Sequence, residues 1–343
     1  DWAPSSTLLL RLHGTARSEP DAVAGERAGL TEAFLQYRPQ LRPDLALRFR
    51  AGLQFAPTSR ENVDPLWQSP YTLTLSAVNS WIGEELRPIG LDVAAQLGEA
   101  GRSRFELAAM AFGGADTAGA LLSWRGWAMG TRLSVVGESL PLPRLPTLEP
   151  GGAFGEQRPF ETQPIDEIDD RVGWQARGRW SKSGLGLLQA AWTDTRGDRA
   201  LHDGQYAWAT RFASLGAEAQ LGRFRLVAEA LDGETGMGVA TGPHVDLRIR
   251  AAYALLSWAN QGEALRLTAR YDRFRNDDRD HVAEPNQESG WAWTVAAFCA
   301  PRPWVRIGFE YLELRGDREA AAFAGTELDA GARRAQAELR LRF

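Results

Sequence analysis

Arginines at alternate positions are the residues of this chain best suited to chemistry. Of the 39 basic residues, only Lys182 is a lysine. The arginine guanidinium is planar and always charged, and its fork of N–H donors fits carboxylates and phosphates. A surface that collects such side chains concentrates anions by focusing the electric field. Twelve arginines with strand spacing are the candidates for such a surface, namely Arg48, Arg50, Arg177, Arg179, Arg225, Arg248, Arg250, Arg266, Arg270, Arg306, Arg340 and Arg342.

Extended strands are the elements that would position these arginines. Successive side chains of a strand point to opposite faces, so strict alternation gives one apolar face and one charged face. The final stretch "AELRLRF" places Leu339, Leu341 and Phe343 on one face and Arg340 and Arg342 on the other. The same alternation recurs at 45–55, 224–231, 245–256, 265–272 and 305–312.

The lengths of the strands and of their connections predict a particular architecture. The alternating segments are about ten residues long, which suits tilted strands that cross a bilayer, and short separators alternate with long ones. We predict an all-β fold, a transmembrane antiparallel up-and-down β-barrel of about sixteen strands, with short periplasmic turns and long extracellular loops. Fourteen or eighteen strands remain open. The predicted strands are 5–16, 30–38, 44–55, 87–97, 103–113, 118–128, 131–138, 171–181, 185–194, 206–220, 223–232, 244–259, 264–274, 290–299, 304–314 and 332–343.

The environment of the apolar faces decides between a membrane barrel and a soluble sandwich. No stretch approaches the ~18 consecutive apolar residues of a membrane-spanning helix. A sandwich would pack its apolar faces together and would not require alternating loop lengths. We therefore predict that these faces, including Val245, Leu247 and Ile249, contact lipid, and that the charged faces line an aqueous lumen. Residues 1–343 would form one barrel domain, and the long loops 56–86 and 139–171 are candidates for folding into its lumen.

Three stretches resemble a family of proteobacterial porin-like proteins that is distantly similar to the phosphate-selective porins. They are "SPYTLTLSAVNSWIGEELRPIGLD" (69–92), "GALLSWRGWAMGTR" (119–132) and "PFETQPIDEIDDRVGWQARGRW" (159–180), and the likeness runs along most of the chain. The resemblance implies a sixteen-stranded barrel, a homotrimer and the passage of small solutes. The single lysine is a difference, because the phosphate-selective members carry lysines at the pore mouth. The terminal Phe343 resembles the signal that the outer-membrane assembly machinery reads.

The charge of the predicted lumen leaves three interpretations open. An excess of inward arginines predicts an anion preference, because charged rings tune the selectivity of pores. Pairing of each arginine with an acid on a neighbouring strand would give a nearly neutral wall instead. The acids concentrated in the long loops would favour a path for cations.

Few other residues have a spacing suited to metal binding or catalysis. Asp166, Asp169 and Asp170 in "DEIDD" are a candidate Ca²⁺ site, with a solvated acidic loop as the alternative because the spacing is not that of an EF-hand. His202 lies near Asp198 in the sequence, which would suit a protease-like pair, with an exposed loop histidine as the alternative. No hydrolase or nucleotide-binding motif occurs, so we predict neither enzymatic activity nor a cofactor.

Together these patterns predict a passive channel of the bacterial outer membrane for small hydrophilic solutes, with an arginine-rich lumen that prefers anions. The alternative is a plugged barrel that serves as a scaffold or as a partner in an envelope complex. The expected partners are outer-membrane lipid, lipopolysaccharide, the solutes and further copies of the same chain. Nucleic acid is not expected to bind.

Overall fold

One antiparallel sheet of sixteen strands dominates the computed structural model. The structure describes residues 1–16, 28–99, 101–158, 160–239, 241–280, 282–283, 285–323, 325, 327 and 329–341. The strands are β1 (Trp2–Ser5), β2 (Leu8–Ala16), β3 (Ala28–Tyr37), β4 (Gln40–Arg42), β5 (Leu45–Leu53), β6 (Ile89–Leu97), β7 (Ser103–Gly113), β8 (Leu140–Pro141), β9 (Glu161–Thr162), β10 (Gly173–Lys182), β11 (Gly186–Asp194), β12 (Leu201–His202), β13 (Gln205–Tyr206), β14 (Ala209–Leu221), β15 (Phe224–Met237), β16 (Val245–Ala259), β17 (Leu265–Asp278), β18 (Glu288–Arg302), β19 (Val305–Arg318) and β20 (Asp329–Leu341). The helices are α1 (Ala77–Glu85) and α2 (Ala120–Trp124).

The strand order is that of an up-and-down barrel. Along the sheet it is β1-β2-β3-β5-β6-β7-β10-β11-β14-β15-β16-β17-β18-β19-β20, and β4 pairs with β5 beside this path. A cavity of about 350 Å³ is lined by Gly14 and Thr15 from β2 and by Gln336 and Glu338 from β20. The two ends of the sheet therefore flank the same interior. The short pairs β8–β9 and β12–β13 form separate ladders outside this sheet.

The two faces of the sheet are arranged in the opposite way to those of a soluble protein. Large apolar side chains are exposed on the outer face, for example Leu215 at 60%, Phe309 at 61% and Leu339 at 65%. Charged side chains such as Arg270 and Asp272 are completely buried on the inner face. An apolar outer surface of this kind suits contact with hydrocarbon rather than water. The predicted outward apolar rows of β15, β17, β19 and β20 face in this direction.

Two of the predicted strands are wrong. Fourteen of the described strands have nine or more residues, while β1 and β4 are short additions at the edges of the sheet. The predicted strand 118–128 contains α2, and 131–138 has no strand at all. The segment 118–128 is apolar because it is buried inside the barrel, and in 131–138 Ser134 and Val135 are buried as well. A short apolar run does not by itself distinguish a membrane strand from a buried loop.

The helices are short and lie between strands. Ser76 caps the N-terminus of α1, because its Oγ accepts a hydrogen bond from the backbone N–H of Asn79 at 3.2 Å. Among the described residues, no helix is long and apolar enough to cross a membrane.

Candidate functional site

Two connecting segments place buried helices in the interior of the barrel. Inner segment 1 (residues 54–88) joins β5 to β6, and inner segment 2 (residues 114–172) joins β7 to β10. All nine residues of α1 in inner segment 1 are buried, as are all five residues of α2 in inner segment 2. The two helices therefore occupy part of the interior. The long loops 56–86 and 139–171 singled out in the sequence belong to inner segments 1 and 2, respectively.

The inner segments bring an apolar core into the barrel. Phe55 and Trp67 stack at 4.1 Å between ring centroids, and Trp81 packs edge-on against Phe212 of the wall at 5.3 Å. Trp127 similarly lies 5.8 Å from Phe274 of β17. Aromatic pairs of this geometry add to the stability gained from burying their area. The wall next to this core must consequently be apolar on its inner face.

This core explains why the inward and outward faces of β16 are the opposite of those predicted. Val245, Leu247 and Ile249 were expected to contact lipid, but they point inward and are fully buried against the core. Arg248 and Arg250 therefore lie on the outer face, so their assignment to the lumen is wrong. They pair there with acids of the neighbouring strands. Arg248 is 2.8 Å from Asp232, and Arg250 contacts Asp277.

A buried ionic network fixes inner segment 1 to the wall. Arg270 of β17 donates from Nε to Asp272 at 2.8 Å and from Nη1 to Glu61 of inner segment 1 at 3.1 Å. Its remaining donors reach the carbonyl oxygens of Thr74 and Leu75 at 2.8 and 3.1 Å. All three ionised side chains are completely buried. Such a network holds one geometry, because loss of any partner would leave a buried charge uncompensated.

A second ionic network lies on the wall itself. Asp92 of β6 accepts hydrogen bonds from Arg48 at 2.9 Å and from Arg177 at 3.1 Å. Glu106 of β7 lies near the same two arginines, at 3.6 and 3.7 Å. The charges here balance within the wall. This part of the interior agrees with the neutral-wall interpretation of the sequence.

Arg87 is a buried cation with a different set of partners. Its guanidinium donates to the carbonyl oxygens of Gly83, Thr31 and Ser134 at 2.7, 2.8 and 3.1 Å. It also lies 3.5 Å from the centroid of the Phe55 ring. Burial lowers the pKa of Arg87 to about 9. The residue therefore joins α1, β3 and inner segment 2 through backbone acceptors.

Glu85 joins the two inner segments. Its carboxylate accepts hydrogen bonds from the backbone N–H groups of Leu121 and Leu122 at the start of α2, at 2.7 and 3.1 Å, and from Trp81 Nε1 at 2.7 Å. Burial raises the pKa of Glu85 to about 7. A carboxylate at the first turn of a helix satisfies N–H groups that have no partner within the helix.

Four arginines bond to glutamines instead of carboxylates. The donor–acceptor distances are 2.7 Å for Arg38–Gln96, 3.0 Å for Arg50–Gln36, 2.8 and 2.9 Å for Arg179–Gln189, and 3.0 Å for Arg225–Gln220. A glutamine amide orients the guanidinium but leaves its positive charge unbalanced. Only Arg179 of these four has a described carboxylate within 4.0 Å, that of Glu106 at 3.9 Å. Arg50 and Arg179 give the interior local positive charge, whereas Arg38 and Arg225 lie near the short turns.

Five strands carry an arginine at an equivalent position near the short turns. We name these five residues the turn-end arginine ring. Each member is the second residue of a strand that leaves a short turn, or the second to last of β20, and is on the inner face. Inner segment 1 reaches this ring, since Asp64 lies 3.4 Å from both Arg306 and Arg340, and Tyr71 accepts from Arg225 at 3.1 Å. The ring comprises Arg104, Arg225, Arg266, Arg306 and Arg340.

The twelve arginines predicted to line the lumen do not all lie on the inner face. Arg342 and the terminal Phe343 lie outside the residues that the structure describes, and Arg248 and Arg250 lie on the outer face. Nine occupy the inner face, namely Arg48, Arg50, Arg177, Arg179, Arg225, Arg266, Arg270, Arg306 and Arg340. Arg104 was missed because the sequence pattern was read from the longest alternating stretches, although "SRFEL" has the same alternation.

The acidic loop forms a different cluster from the predicted one. Ligand oxygens of Asp116, Glu167 and Asp169 lie within 4.8 Å of one another, whereas Asp166 and Asp170 are not in this group. The Asp116 carboxylate accepts from the backbone N–H groups of Ile168 and Asp169 at 2.7 and 3.2 Å. Burial and the adjacent carboxylates raise the pKa of Asp116 to about 7. Asp116 is distant in the sequence, so no local motif could have indicated it.

His202 has the neighbour expected from the sequence. Its Nε2 lies 2.9 and 3.0 Å from the two oxygens of Asp198, four residues earlier in the same loop. Among the described residues, no serine hydroxyl lies within hydrogen-bond distance of the ring. The pair therefore stabilises a loop conformation and lacks the nucleophile that a protease-like site requires.

Comparison with known proteins identifies the fold. No protein-family model matches the chain, and no curated protein sequence matches it. Among solved structures it is similar to the outer membrane channel DcaP of Acinetobacter baumannii, with 10% identity, 100% of this chain and 99% of that chain covered, and a TM-score of 0.50. Two others are an anion-selective porin from Comamonas acidovorans (11% identity, 97% and 98% covered, TM-score 0.45) and a loop L8 deletion mutant of OmpT, an outer membrane protein of Vibrio cholerae (8%, 97% and 97%, 0.48). The chain has the β-barrel fold of outer-membrane porins.

Proposed function

We propose that the protein is a passive channel of the bacterial outer membrane for small hydrophilic solutes. The observation that carries the proposal is the reversed polarity of the barrel, with apolar side chains exposed outside and arginines and acids buried inside. A barrel with these faces is stable in lipid and presents polar groups to whatever crosses it. The similarity to the outer membrane channel DcaP over the whole chain supports the same conclusion.

The path through the channel is narrow in this proposal. Inner segments 1 and 2 occupy much of the lumen, and the remaining space includes cavities of about 350 and 620 Å³. A pore whose constriction is set by internal loops admits only small solutes, because size and wall charge decide what enters. Short turns would face the periplasm and long loops the cell exterior. Assembly into a homotrimer and contact with lipopolysaccharide also belong to the proposal, on the resemblance of the sequence.

The solutes favoured by this interior are anions. The network of Asp92 and Glu106 with Arg48 and Arg177 is balanced, so it contributes little selectivity. The fully buried network of Arg270 pairs one arginine with two carboxylates, and inner segment 1 covers it. Arg50 and Arg225 bond to glutamines and retain an unbalanced charge. A few such charges in a low-dielectric channel raise the local concentration of anions.

The test is single-channel recording in a planar bilayer under a KCl gradient. The wild-type protein should show a small conductance and a reversal potential that indicates preference for Cl⁻. The double variant Arg50→Gln and Arg179→Gln should shift the reversal potential toward that of K⁺, because it removes two positive charges but keeps hydrogen-bonding side chains. A reversal potential unchanged by the double variant would contradict the role of these arginines.

A plugged barrel is the second candidate, and one observation favours it. Every residue of α1 and α2 is buried, and the aromatic core that contains Trp81 and Trp127 packs directly against the wall. Absence of conductance from protein that has the heat-sensitive electrophoretic mobility of a folded barrel would favour this candidate. The search for function would then move to partners in the cell envelope.

A further inference from the structure

The outer face of β16–β20 carries a group of arginines next to the apolar band. Arg273 of β17, Trp291 of β18 and Arg315 of β19 lie directly opposite one another in the register of the sheet. Arg250 and Arg275 face each other one step nearer the long loops. We name five of these outward side chains the outer arginine patch, which comprises Arg250, Arg273, Arg275, Arg315 and Arg333.

The outer arginine patch has fewer carboxylates than arginines. Four of its members share two acids, namely Asp277, which contacts Arg250 and Arg275, and Glu313, which lies 3.5 and 3.4 Å from Arg315 and Arg333. No carboxylate of a described residue lies within 4.0 Å of Arg273, whose side chain is exposed. The surface between Asp277 and Glu313 is therefore locally positive.

This patch lies at the height where lipid head groups begin. Tyr271 and Trp293 are opposite each other one step nearer the short turns, and their ring centroids are 4.8 Å apart. Ala269 and Val295 follow at the next step and continue the apolar band. Tyrosine and tryptophan on the outer face of a barrel mark the boundary between hydrocarbon and head groups. Arginines directly beyond such a belt reach the phosphates of lipids.

An apolar groove of about 900 Å³ adjoins the patch on the outer face. Ala252 lines this groove and lies directly opposite Arg273 in the register of β16 and β17. From Ala252, one row of the register crosses four more strands that line the groove, at Ala230, Leu215, Ala190 and Gly178. Four of these five residues are alanine or glycine, so the row is a depression in the apolar band. The groove and the positive charge therefore meet at Arg273.

Two carboxylates lie beyond the patch on the side of the long loops. Asp317 and Asp329 are opposite each other one step farther from the membrane than Arg315, and both are exposed. Carboxylates accept hydrogen bonds from hydroxyl groups, which a sugar supplies in number. The order of groups is thus an apolar groove, then arginines, then acceptors for hydroxyl groups. A phosphorylated and acylated sugar matches this order, whereas a glycerophospholipid offers no sugar to the outermost acids.

We propose that the outer arginine patch and the adjoining groove bind one molecule of a phosphorylated, acylated glycolipid of the outer leaflet. A phosphate group contacts Arg273 together with Arg250 and Arg275, because guanidinium groups bind phosphate oxygens in pairs. One acyl chain lies in the groove beside Ala252. The inference rests on the proposed function, in which the long loops face the cell exterior, and it names one lipid and one face of the barrel.

Binding is tested by native mass spectrometry of the folded protein in a neutral detergent. The probes are diphosphoryl lipid A, the same lipid after removal of both phosphates, and phosphatidylglycerol. Diphosphoryl lipid A should bind tightest. Arg273→Gln and Arg275→Gln should each weaken its binding about fivefold, the effect of one basic residue at a lipid surface. Ala252→Phe fills the groove next to the patch and should weaken the binding to a similar extent.

Arg211→Gln is the matched control. Arg211 also lies on the outer face toward the long loops and its side chain is 58% exposed, but it pairs with Glu234 on β15. Its replacement should change the affinity by less than about twofold, since it lies outside the patch. Equal losses for Arg211→Gln and Arg273→Gln would overturn the proposal, because they would indicate diffuse attraction to a charged lipid.

Two results with the wild-type protein would also overturn the proposal. Equal affinity for the phosphorylated and dephosphorylated lipids would remove the role of the arginines, and equal affinity for phosphatidylglycerol would remove the glycolipid as the occupant. The electrophoretic mobility of each variant with and without heating establishes that the barrel has folded. Lipid binding does not depend on flux, so conductance without a lipid site and a lipid site without conductance are distinct outcomes. The first would contradict this inference alone, and the second would leave the site on a plugged barrel.

Discussion

Glu61 and Arg270 are separated by 209 residues in the sequence, yet Oε2 of the first lies 3.1 Å from Nη1 of the second, with both side chains fully buried. This contact joins inner segment 1 to the wall of the barrel. It belongs to a network in which Arg270 also bonds to Asp272 and to backbone carbonyl oxygens. The guanidinium of Arg270 is therefore one of the wall groups that position this internal loop.

We expect Arg270→Ala to destabilise the folded barrel by about 3–5 kcal/mol, because removal of one partner leaves two buried carboxylates uncompensated. The measurement is the urea midpoint of unfolding, followed by tryptophan fluorescence. Arg273→Ala is the control, because Arg273 is exposed on the opposite face of the same strand, and its loss should cost less than about 0.5 kcal/mol. Equal midpoints for the two variants would show that Arg270 does not hold inner segment 1.

The position of Arg248 predicts that its replacement does not change the ion selectivity of the channel. Because its side chain lies on the outer face and pairs with Asp232 at 2.8 Å, Arg248→Gln should leave the reversal potential unchanged. Arg179→Gln, on the inner face, should shift it toward that of K⁺. The stability change for Arg248→Gln should stay below about 1 kcal/mol, since the pair is exposed. A shift for Arg248→Gln as large as that for Arg179→Gln would place Arg248 on the ion path.

Gly119 supplies a test of how tightly inner segment 2 packs against the wall. It precedes α2 with φ +118°, and a Cβ atom there would lie 2.0 Å from Oγ1 of Thr235. Gly119→Ala should destabilise the fold by about 2–4 kcal/mol through backbone strain and overpacking. Gly151→Ala is the control, because Gly151 also has a positive φ, +87°, but open space around it. Its cost should be about 1 kcal/mol from strain alone, measured by the same urea midpoints.

The raised pKa of Asp116 predicts that the stability of the fold depends on pH. Its pKa is about 7 in the fold against an ordinary value of 3.8, so between these values the folded protein binds more protons than the unfolded chain. The contribution of Asp116 to stability is therefore fully present below about pH 4 and is lost as the pH rises through 7. After screening by solvent, we expect a change on the order of 1 kcal/mol.

The variant Asp116→Asn removes this titration. Urea midpoints measured from pH 4 to pH 8 should decline less steeply for Asp116→Asn than for the wild-type protein. Asp203→Asn, in another loop of the chain, is the control and should follow the wild-type curve. Identical slopes for Asp116→Asn and the wild-type protein would show that the Asp116 carboxyl does not titrate in this range.

Most of the wall could be predicted from the sequence, because lipid requires one apolar face and the interior tolerates charge. The strand that ends in "AELRL" is an example, since Leu339 and Leu341 face outward and Arg340 faces inward. The prediction contained two strands too many in 118–138, because this stretch has apolar residues that do not contact lipid. Its helix α2 packs inside the barrel, where its partners come from distant strands.

The candidate site was less predictable, because it depends on which residues meet across the interior. Arg48 and Arg270 alternate with apolar residues in the same way, and the sequence does not indicate that Asp92 or Glu61 would neutralise them. For Arg248 the pattern was misleading, because both faces of β16 are apolar in part. The inner face of β16 packs against a core that exists only after the inner segments have folded.

The reach of inner segment 1 has a consequence for the assembly of the barrel. Asp64 contacts Arg306 of β19 and Arg340 of β20, and Gln336 of β20 donates to Thr74 at 2.8 Å. A segment that emerges between β5 and β6 thus forms part of the surface on which the last strands dock. In the folded barrel, the docking of the C-terminal hairpin and the position of this internal loop therefore depend on each other. Closure of the wall and filling of the lumen would then be a single cooperative event.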